Sequence, residues 1–407
     1  MGGDIDDVFP RLRSLVYHAH KGSPGDSGEH IPSLQAQHIS LFLTSQLEEL
    51  TFICDGRTGL EPAQLCDVIG GKQNLKKLEF LVDCPDMRQA SCIQSMIKDL
   101  KNLTHLKIKS CLFTPDLFRT VATLPRLVGF YLDIHTYGSY EPGRTLCEDH
   151  RPIDAQGLSQ SLSPLNLREQ PLVFPHLKTL LLQGPLGPMV DLFLSTESVR
   201  QLTVLHVDVL YHTNPTEDIA ALIASLPDAC PDLEVFLLTR REQPERFALD
   251  DVDPMTIQTL EPLALLPQLL ALEIAHSRHV KTNNDEIIHW VDRCKKLRWL
   301  TLTPEPNVPY TPVLTLDVFD GIMRIRPDMQ SLVLCVDTSD INQRPFHNNW
   351  KSLYRIGFGN SLIAEDDIPY MARYLESALP TRCELITHAW DRNRFVWNFI
   401  KSVNDFR

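Results

Sequence analysis

The unit Leu-x-x-Leu-x-apolar recurs twelve times along the chain. Its copies begin at Leu12, Leu47, Leu75, Leu103, Leu127, Leu177, Leu202, Leu233, Leu269, Leu297, Met329 and Leu353. Clear examples are Leu75-Lys-Lys-Leu78-Glu-Phe80, Leu103-Thr-His-Leu106-Lys-Ile108 and Leu297-Arg-Trp-Leu300-Thr-Leu302. Successive starts lie 35, 28, 28, 24, 50, 25, 31, 36, 28, 32 and 24 residues apart. This spacing centres on the 20–29-residue period of leucine-rich repeats, about one strand and one return segment per unit. A single unit cannot bury its own apolar face, so neighbours must stack. The expected fold is an α/β leucine-rich-repeat solenoid, a curved horseshoe with a parallel inner sheet and outer helices. Growth by stacking also accommodates a chain of 407 residues, beyond the roughly 250–300 residues at which single cores stop growing.

The segments between units carry helical signals. In 214–226, Asn214 is placed to cap a helix with Pro215 at its first position, and Ile219, Leu222, Ile223 and Leu226 follow at helical spacing. Thr114-Pro-Asp begins a second, with Leu117, Phe118, Val121 and Leu124 on one face; 283–294 carry Ile287, Ile288 and Val291. Proline stands two residues before the unit at Pro10, Pro125, Pro175, Pro231, Pro267 and Pro327. There it ends the helix and imposes an extended approach, because the residue before proline avoids the helical region.

The expected organisation is one solenoid over 1–407, with about twelve repeats across 9–360, an excursion loop over 135–174 and a C-terminal capping region over 361–407. The excursion contains Leu162-Ser-Pro-Leu-Asn-Leu167, which mimics the repeat but lies too close to Leu177. Shorter polar excursions are expected at 239–254, 303–315 and 337–349. In the capping region Ile368, Met371, Ala372, Leu375 and Leu379 form a helical face, and Cys383-Glu-Leu-Ile reads as an edge strand. Phe395, Val396, Phe399, Ile400 and Val403 suggest a final amphipathic helix. The first unit starts within a dozen residues of Met1, so neither an N-terminal cap nor a separate domain is expected before it.

Net charge of −13 disfavours a nucleic-acid role, since phosphate binding wants a basic face. Ten cysteines without a C-x-x-C pair read as reduced thiols, which points to the cytoplasm or nucleus. Met1-Gly-Gly-Asp-Ile-Asp-Asp is acidic where a signal peptide is basic and then apolar. The most apolar stretch, Leu260 to Ala275, is interrupted by Glu261, Pro262, Pro267 and Glu273, so no membrane span is expected.

No constellation for chemistry stands out, and neither an enzyme nor a cofactor is expected. Pro24-Gly-Asp-Ser-Gly28 resembles a protease nucleophile turn, but only His18 and His20 precede it, and a Gly/Pro/Ser loop accounts for it. Gly70-Gly-Lys72 lacks the phosphate-loop frame. Cys147, Glu148, Asp149 and His150 crowd into one loop without the separated ligand pairs of a zinc site, so no metal is expected.

Binding is the remaining role. Strand residues alternate sides. With apolar residues inward at i, i+3 and i+5, positions i+2, i+4 and i+6 face the concave side. This places His105, Lys107, Lys109, Tyr131, Asp133, Leu181, His206, Asp208, Leu237 and Trp299 there as candidate partner-binding residues, together with Thr179, Gln183, Val204, Val235, Val333 and Cys335. A basic spot abuts an aromatic–acidic one, followed by an apolar stretch of the kind that marks interaction sites. The alternative is that neighbouring strands, a loop or a curled tail cover Leu181, Leu237 and Val333.

The Pro-x-Leu-x-x-Leu-x-Leu units, the irregular period and the aromatic tail resemble the leucine-rich-repeat region of F-box/LRR proteins, especially those expanded in fungi. The resemblance spans about 9–407 and implies substrate recruitment to a cullin–RING ubiquitin ligase, with its adaptor as a partner. Two features depart from the family: no F-box-like segment precedes Leu12, and the usual Asn or Cys three residues after the last strand leucine occurs at Cys111, while Asp83, His135, Ser277 and Asp337 stand elsewhere. A free-standing scaffold or inhibitor is the alternative reading.

Overall fold

The computed structural model describes residues 9, 11–19, 39, 41–54, 62–82, 88–109, 114–133, 174–184, 186, 199–209, 216–240, 254–276, 280–304, 312–341, 350–359, 361 and 363–386. The chain comprises two compact units, Met1–Leu202 and Thr203–Arg407.

In the first unit, strands β1 (Ser14–Ala19), β2 (Glu49–Cys54), β3 (Lys77–Val82), β4 (His105–Lys109), β5 (Gly129–Asp133) and β6 (Thr179–Gly184) lie side by side in chain order. Every pairing among them is parallel. Helices α1 (Pro62–Gly70), α2 (Arg88–Asp99) and α3 (Pro115–Ala122) return the chain between β2 and β5.

The second unit repeats the plan. Its strands are β7 (Val204–Val209), β8 (Val235–Arg240), β10 (Ala271–His276), β12 (Trp299–Pro304), β13 (Ser331–Leu334), β14 (Arg355–Gly357) and β15 (Glu384–Ile386), all parallel. The returns hold α4 (Thr216–Ala229), α5 (Ile257–Leu260) continued by the 3₁₀ turn Glu261–Leu265, α6 (Asn284–Arg293), α7 (Asp317–Ile325) and α8 (Ile368–Ala378). A separate parallel pair joins β9 (Met255–Thr256) to β11 (Val280–Lys281). Parallel strands in consecutive order, each followed by a return segment, constitute the leucine-rich-repeat solenoid that the sequence period demands.

Register puts equivalent residues in contact, as in Leu50↔Leu78↔Leu106↔Phe130↔Leu180 and Phe236↔Leu272↔Leu300↔Leu332↔Ile356. All of these are buried. The core contribution of each such side chain is about 1.5–3 kcal/mol. The helices meet this core through their apolar stripes. Phe118 of α3 packs on Phe130 at a centroid distance of 6.1 Å and on Phe174 at 5.3 Å. Phe319 of α7 lies 5.3 Å from Phe358, and Tyr374 of α8 lies 5.8 Å from Trp350.

Helix starts follow their caps. Thr114 Oγ1 accepts the Leu117 N–H at 3.1 Å, with Pro115 next to it at the first position of α3. At α6, Asn283 and Glu286 form a reciprocal capping box, and Trp290 is buried with Nε1 donating to Leu260 O (2.9 Å). The helix expected over 214–226 spans Thr216–Ala229, with Asn214 and Pro215 outside the described residues. Gly321 of α7 is the close approach to α6: a Cβ there would lie 2.2 Å from Ile288 Cδ1.

Each repeat begins with a tight turn. The N–H of the leading leucine donates to the carbonyl three residues back: Leu103 to Leu100 (3.1 Å), Leu233 to Cys230 (3.0 Å), Leu297 to Cys294 (3.1 Å), Met329 to Arg326 (3.1 Å). Proline fits the second place of this turn because its fixed φ suits it. The residues before Pro267 and Pro327 have ψ 103° and 72°, as that position requires. Where the residue three back is apolar it is buried, except for Phe9 in the first repeat; burial pushes the thiols of Cys230 and Cys294 up to about 12. Such thiols are chemically inert.

Arg326 occupies this position before β13. Its buried guanidinium donates to Leu297 O (2.8 Å), to Cys294 O, and through Nε to Asp328 Oδ1 (3.2 Å). The Asp328 carboxyl is held below the usual range, first by that hydrogen bond. One side chain thus joins the turns before β12 and β13.

The sequence expectations need four corrections at strand ends. In β2, β3 and β7 alternation stops after the fourth strand residue: Phe52-Ile53-Cys54, Phe80-Leu81-Val82 and Val207-Asp208-Val209 are all buried, because both sides of the sheet are covered there. Lys109 and Asp208, expected on an open face, are therefore buried. Val333 is buried because its methyl groups fill the space beside Gly357, where a Cβ would come within 2.8 Å of Cγ1. Cys335 is buried under Ser361, whose Oγ is 3.8 Å from Sγ. The expected excursion also ends sooner than residue 174, since Phe174 belongs to the core; its preceding residues 135–173 and the expected tail helix from Phe395 lie outside the described residues.

Arg326→Met removes the side-chain donor of the buried Leu297 O and one of the two donors of Cys294 O, which keeps the Leu297 N–H, and is expected to cost roughly 1–3 kcal/mol in denaturant unfolding. A loss under about 1 kcal/mol would mean that water satisfies Cys294 O and Leu297 O instead.

Candidate functional site

The candidate surface of each unit is the sheet face opposite the buried leucines. In the first unit its rows run Ser14, Glu49, Lys77, His105, Gly129, Thr179 and Val16, Thr51, Glu79, Lys107, Tyr131, Leu181. Register sets Glu49 beside Lys77 and Glu79 beside Lys107. Lys77 Nζ also lies 3.4 Å from Glu79 Oε1. One residue earlier, Glu48 takes Lys76 at 2.8 Å and Arg13 at 3.9 Å; the Lys76 hydrogen bond is the first cause that holds its carboxyl below the usual range. These exposed pairs compensate charge and contribute little stability.

Next to them is an aromatic step. Gly129 carries no side chain between His105 and Thr179, and a Cβ there would meet His105 Cδ2 at 2.7 Å and the Tyr131 hydroxyl at 3.0 Å. Glycine thus lets the Tyr131 ring lie down beside the imidazole. Thr104 Oγ1 is 3.0 Å from His105 Nδ1. His105, Lys107, Tyr131 and Leu181 are each half-buried on this face. Asp133 closes β5 opposite Lys109, and its side chain is outside the described residues.

In the second unit, His206 Nε2 is 2.8 Å from Thr239 Oγ1, which donates to Asp208 Oδ1 at 3.3 Å. The buried carboxylate therefore ties β7 to β8 instead of facing a partner. Val204, Val235 and Leu237 are half-buried alongside. Trp299 is 40 % exposed and Tyr354 38 %. Their rings meet edge-on at 5.5 Å, and Trp299 Nε1 donates to Gln330 Oε1 at 3.1 Å. Ser331 stands between Trp299 and Arg355 in register, and this small residue leaves the span the indole crosses.

Half-buried Arg355 and Glu273 flank this pair. Desolvation raises the Glu273 carboxyl above its ordinary value, and the positive charge of Arg355 opposes the rise. Among the described residues, Arg355 Nε is buried without a hydrogen-bond partner.

Sequence alternation located Trp299, His206 and Leu237 on the face but passed over Gln330 and Tyr354. Both precede their strands by one residue, at i+1, where strict alternation predicts the opposite side. Arg355 and Glu273 sit at i+2 and i+4 and follow the same rule as Trp299; they were readable from their position.

Among the described residues no three metal-ligating side chains converge, and no helix is long and apolar enough to cross a membrane. Residues 24–28 and 147–150 are outside the described residues.

Repeated parallel strands, a buried leucine face and an open polar–aromatic face define a leucine-rich-repeat solenoid fold. No family model matches the chain, and no curated protein matches it. Among solved structures, the chain is similar to a protein from Bacteroides fragilis at 14 % identity and TM-score 0.33, over 69 % of this chain and 64 % of that one. It is similar to the leucine-rich repeat-containing protein LegL7 from Legionella pneumophila at 10 % identity and TM-score 0.32, over 77 % and 97 % of the two chains. A third similarity is to the chain in the TLR13–ssRNA13 complex, with 14 % identity and TM-score 0.25, over 93 % and 65 %. The chain thus spans less than two thirds of the length of the first and third of these proteins.

A buried carboxyl with a raised pKa favours the fold below its ordinary value near 4.5 and loses that contribution as pH rises through the folded value. Glu273→Gln is therefore expected to raise the unfolding midpoint at pH 7 and to leave it unchanged at pH 3. A lower midpoint at pH 7 would make the Arg355 attraction, not desolvation, the dominant influence.

Proposed function

We propose that this chain is a protein-recognition module that binds its partner on the open sheet faces and performs no chemistry of its own. The observation that carries the reading is the Trp299–Tyr354 pair. Two large aromatic side chains stand partly in solvent, preorganised by an edge-on contact and by the Gln330 hydrogen bond. Such preformed aromatic anchors lose little entropy on docking and supply most of the energy of typical protein interfaces.

Within this reading, the Pro-x-Leu-x-x-Leu-x-Leu units support a more specific role as the substrate-binding part of an F-box/LRR-type ubiquitin ligase receptor in a reducing compartment. The open face would hold the substrate, and the ligase partner would supply the chemistry.

Affinity capture from the protein's own cells, with Trp299→Ala run beside the wild type, tests the proposal. Trp299→Ala is expected to release a specific partner at least about tenfold while moving the thermal midpoint by under about 2 °C. Equal capture by both proteins would exclude this face. Co-capture of a cullin adaptor would support the receptor role; a stable partner with no cullin component would leave a scaffold or inhibitor.

A further inference from the structure

The second unit's face has one feature that stability does not explain. Arg355 lies half-buried on β14 with Nε shielded from solvent and no acceptor within reach among the described residues. Burying a guanidinium N–H without an acceptor is unfavourable, so folded proteins rarely leave one in that state. Two carboxylates lie in its neighbourhood, and neither pairs with it. Glu384 is its register partner on β15, on an adjacent strand about 4.8 Å away, yet the two form no ion pair. Glu273 feels the Arg355 charge from β10 without closing an ion pair either, and desolvation weakens it as a counter-ion by favouring its neutral form.

The surroundings fix what could complete this arrangement. Ser331, the small residue at the neighbouring register position on β13, keeps the floor beside Arg355 low. Trp299 and Tyr354 form an apolar wall within reach of it. The guanidinium is planar, permanently charged and able to donate two parallel hydrogen bonds, a geometry that matches a carboxylate. A side chain that lodges against the aromatic wall would bring its sequence neighbour over Arg355.

We propose that the open face of the second unit binds an extended protein segment in which an aspartate or glutamate, received by the unpartnered Arg355 fork, lies next to a large apolar residue seated on Trp299 and Tyr354. This rests on the protein-recognition reading above and adds the chemistry of the partner. An acidic ligand also suits the uneven charge of the molecule: the chain is −13 overall, so most of its surface repels an acidic segment and Arg355 supplies a local exception, which favours specificity over affinity.

Panning a random peptide display library on the full-length chain tests this. Enriched peptides are expected to carry Asp or Glu within two residues of Trp, Phe, Leu or Ile. Changing that acid to its amide should weaken binding roughly tenfold to a hundredfold. Arg355→Gln should erase the acid-over-amide preference, and Arg355→Lys should restore it in part. Trp299→Ala should weaken acid and amide peptides alike. Thermal midpoints of the three variants verify that each is folded. Peptides that bind the wild type through Trp299 but show no acid preference, or keep it in Arg355→Gln, overturn this inference and leave the recognition reading standing. Stronger binding of phosphoserine than of aspartate at the same place would make phosphate, not carboxylate, the ligand and overturns it too. Failure of the folded wild type to enrich any peptide contradicts both readings.

Discussion

One backbone carbonyl per repeat holds the sheet together. At the start of most strands in each unit the carbonyl of residue i+1 accepts two N–H groups from the next repeat. Lys76 and Lys77 donate to Glu48 O at 2.7 and 3.0 Å, Thr104 and His105 to Lys76 O at 2.7 and 3.0 Å, and Val128 and Gly129 to Thr104 O at the same distances. The second unit repeats this: Arg298 and Trp299 donate to Leu270 O, Gln330 and Ser331 to Arg298 O, and Tyr354 and Arg355 to Gln330 O. Because the preceding tight turn aims both N–H groups, the turn, the shared carbonyl and the leucine register form a single constraint. A slip of one residue would break two hydrogen bonds and expose the leucines. Side chains reinforce it: Asn74 donates to Ser45 O and Asn102 to Gln73 O, both at 2.7 Å, and Ser352 to Met329 O at 2.8 Å. Polar groups before the strand thus supply cross-repeat bonds in repeats that lack the usual asparagine after it.

The same constraint makes the open face usable. Registered strands place side chains in rows, and the rows differ in what they offer. In the first unit opposite charges alternate along neighbouring strands until Gly129 admits the Tyr131 ring. In the second, the row through Trp299, Ser331 and Arg355 alternates large, small and charged. Because the buried face carries the stability, the open rows are free to diverge without cost to the fold. This separation explains how leucines recur at fixed positions while the residues between them vary in charge and size.

Much of this was legible in the sequence. The Leu-x-x-Leu-x-apolar units located the described strands that follow Leu12 through Leu353, and the caps at Thr114 and Asn283 marked helices α3 and α6. Alternation correctly set Trp299 and Tyr131 on the open side. It failed at Lys109 and Asp208 because period-2 reasoning assumes a sheet covered on one side only, whereas strand ends here are covered on both. It missed Tyr354 and Gln330 because the i+1 residue belongs to the shared-carbonyl turn, where the backbone has not yet adopted the strand pleat. Arg326 was illegible for a different reason: its position is filled in most other repeats by apolar residues such as Leu100 and Leu124, and only the packed turns reveal that its fork replaces them by donating to carbonyls of the preceding repeat.

Amide hydrogen exchange of the intact chain, resolved to short peptides, addresses the shared-carbonyl constraint most directly. The account predicts that the paired amides at Lys76–Lys77, Thr104–His105, Gln330–Ser331 and Tyr354–Arg355, whose side chains apart from Ser331 are exposed or half-exposed, exchange as slowly as the buried Leu78, Leu106, Leu332 and Ile356 that follow them. Rapid exchange at those pairs, with protection confined to the leucines, would contradict it and leave apolar burial alone as the force that sets the register.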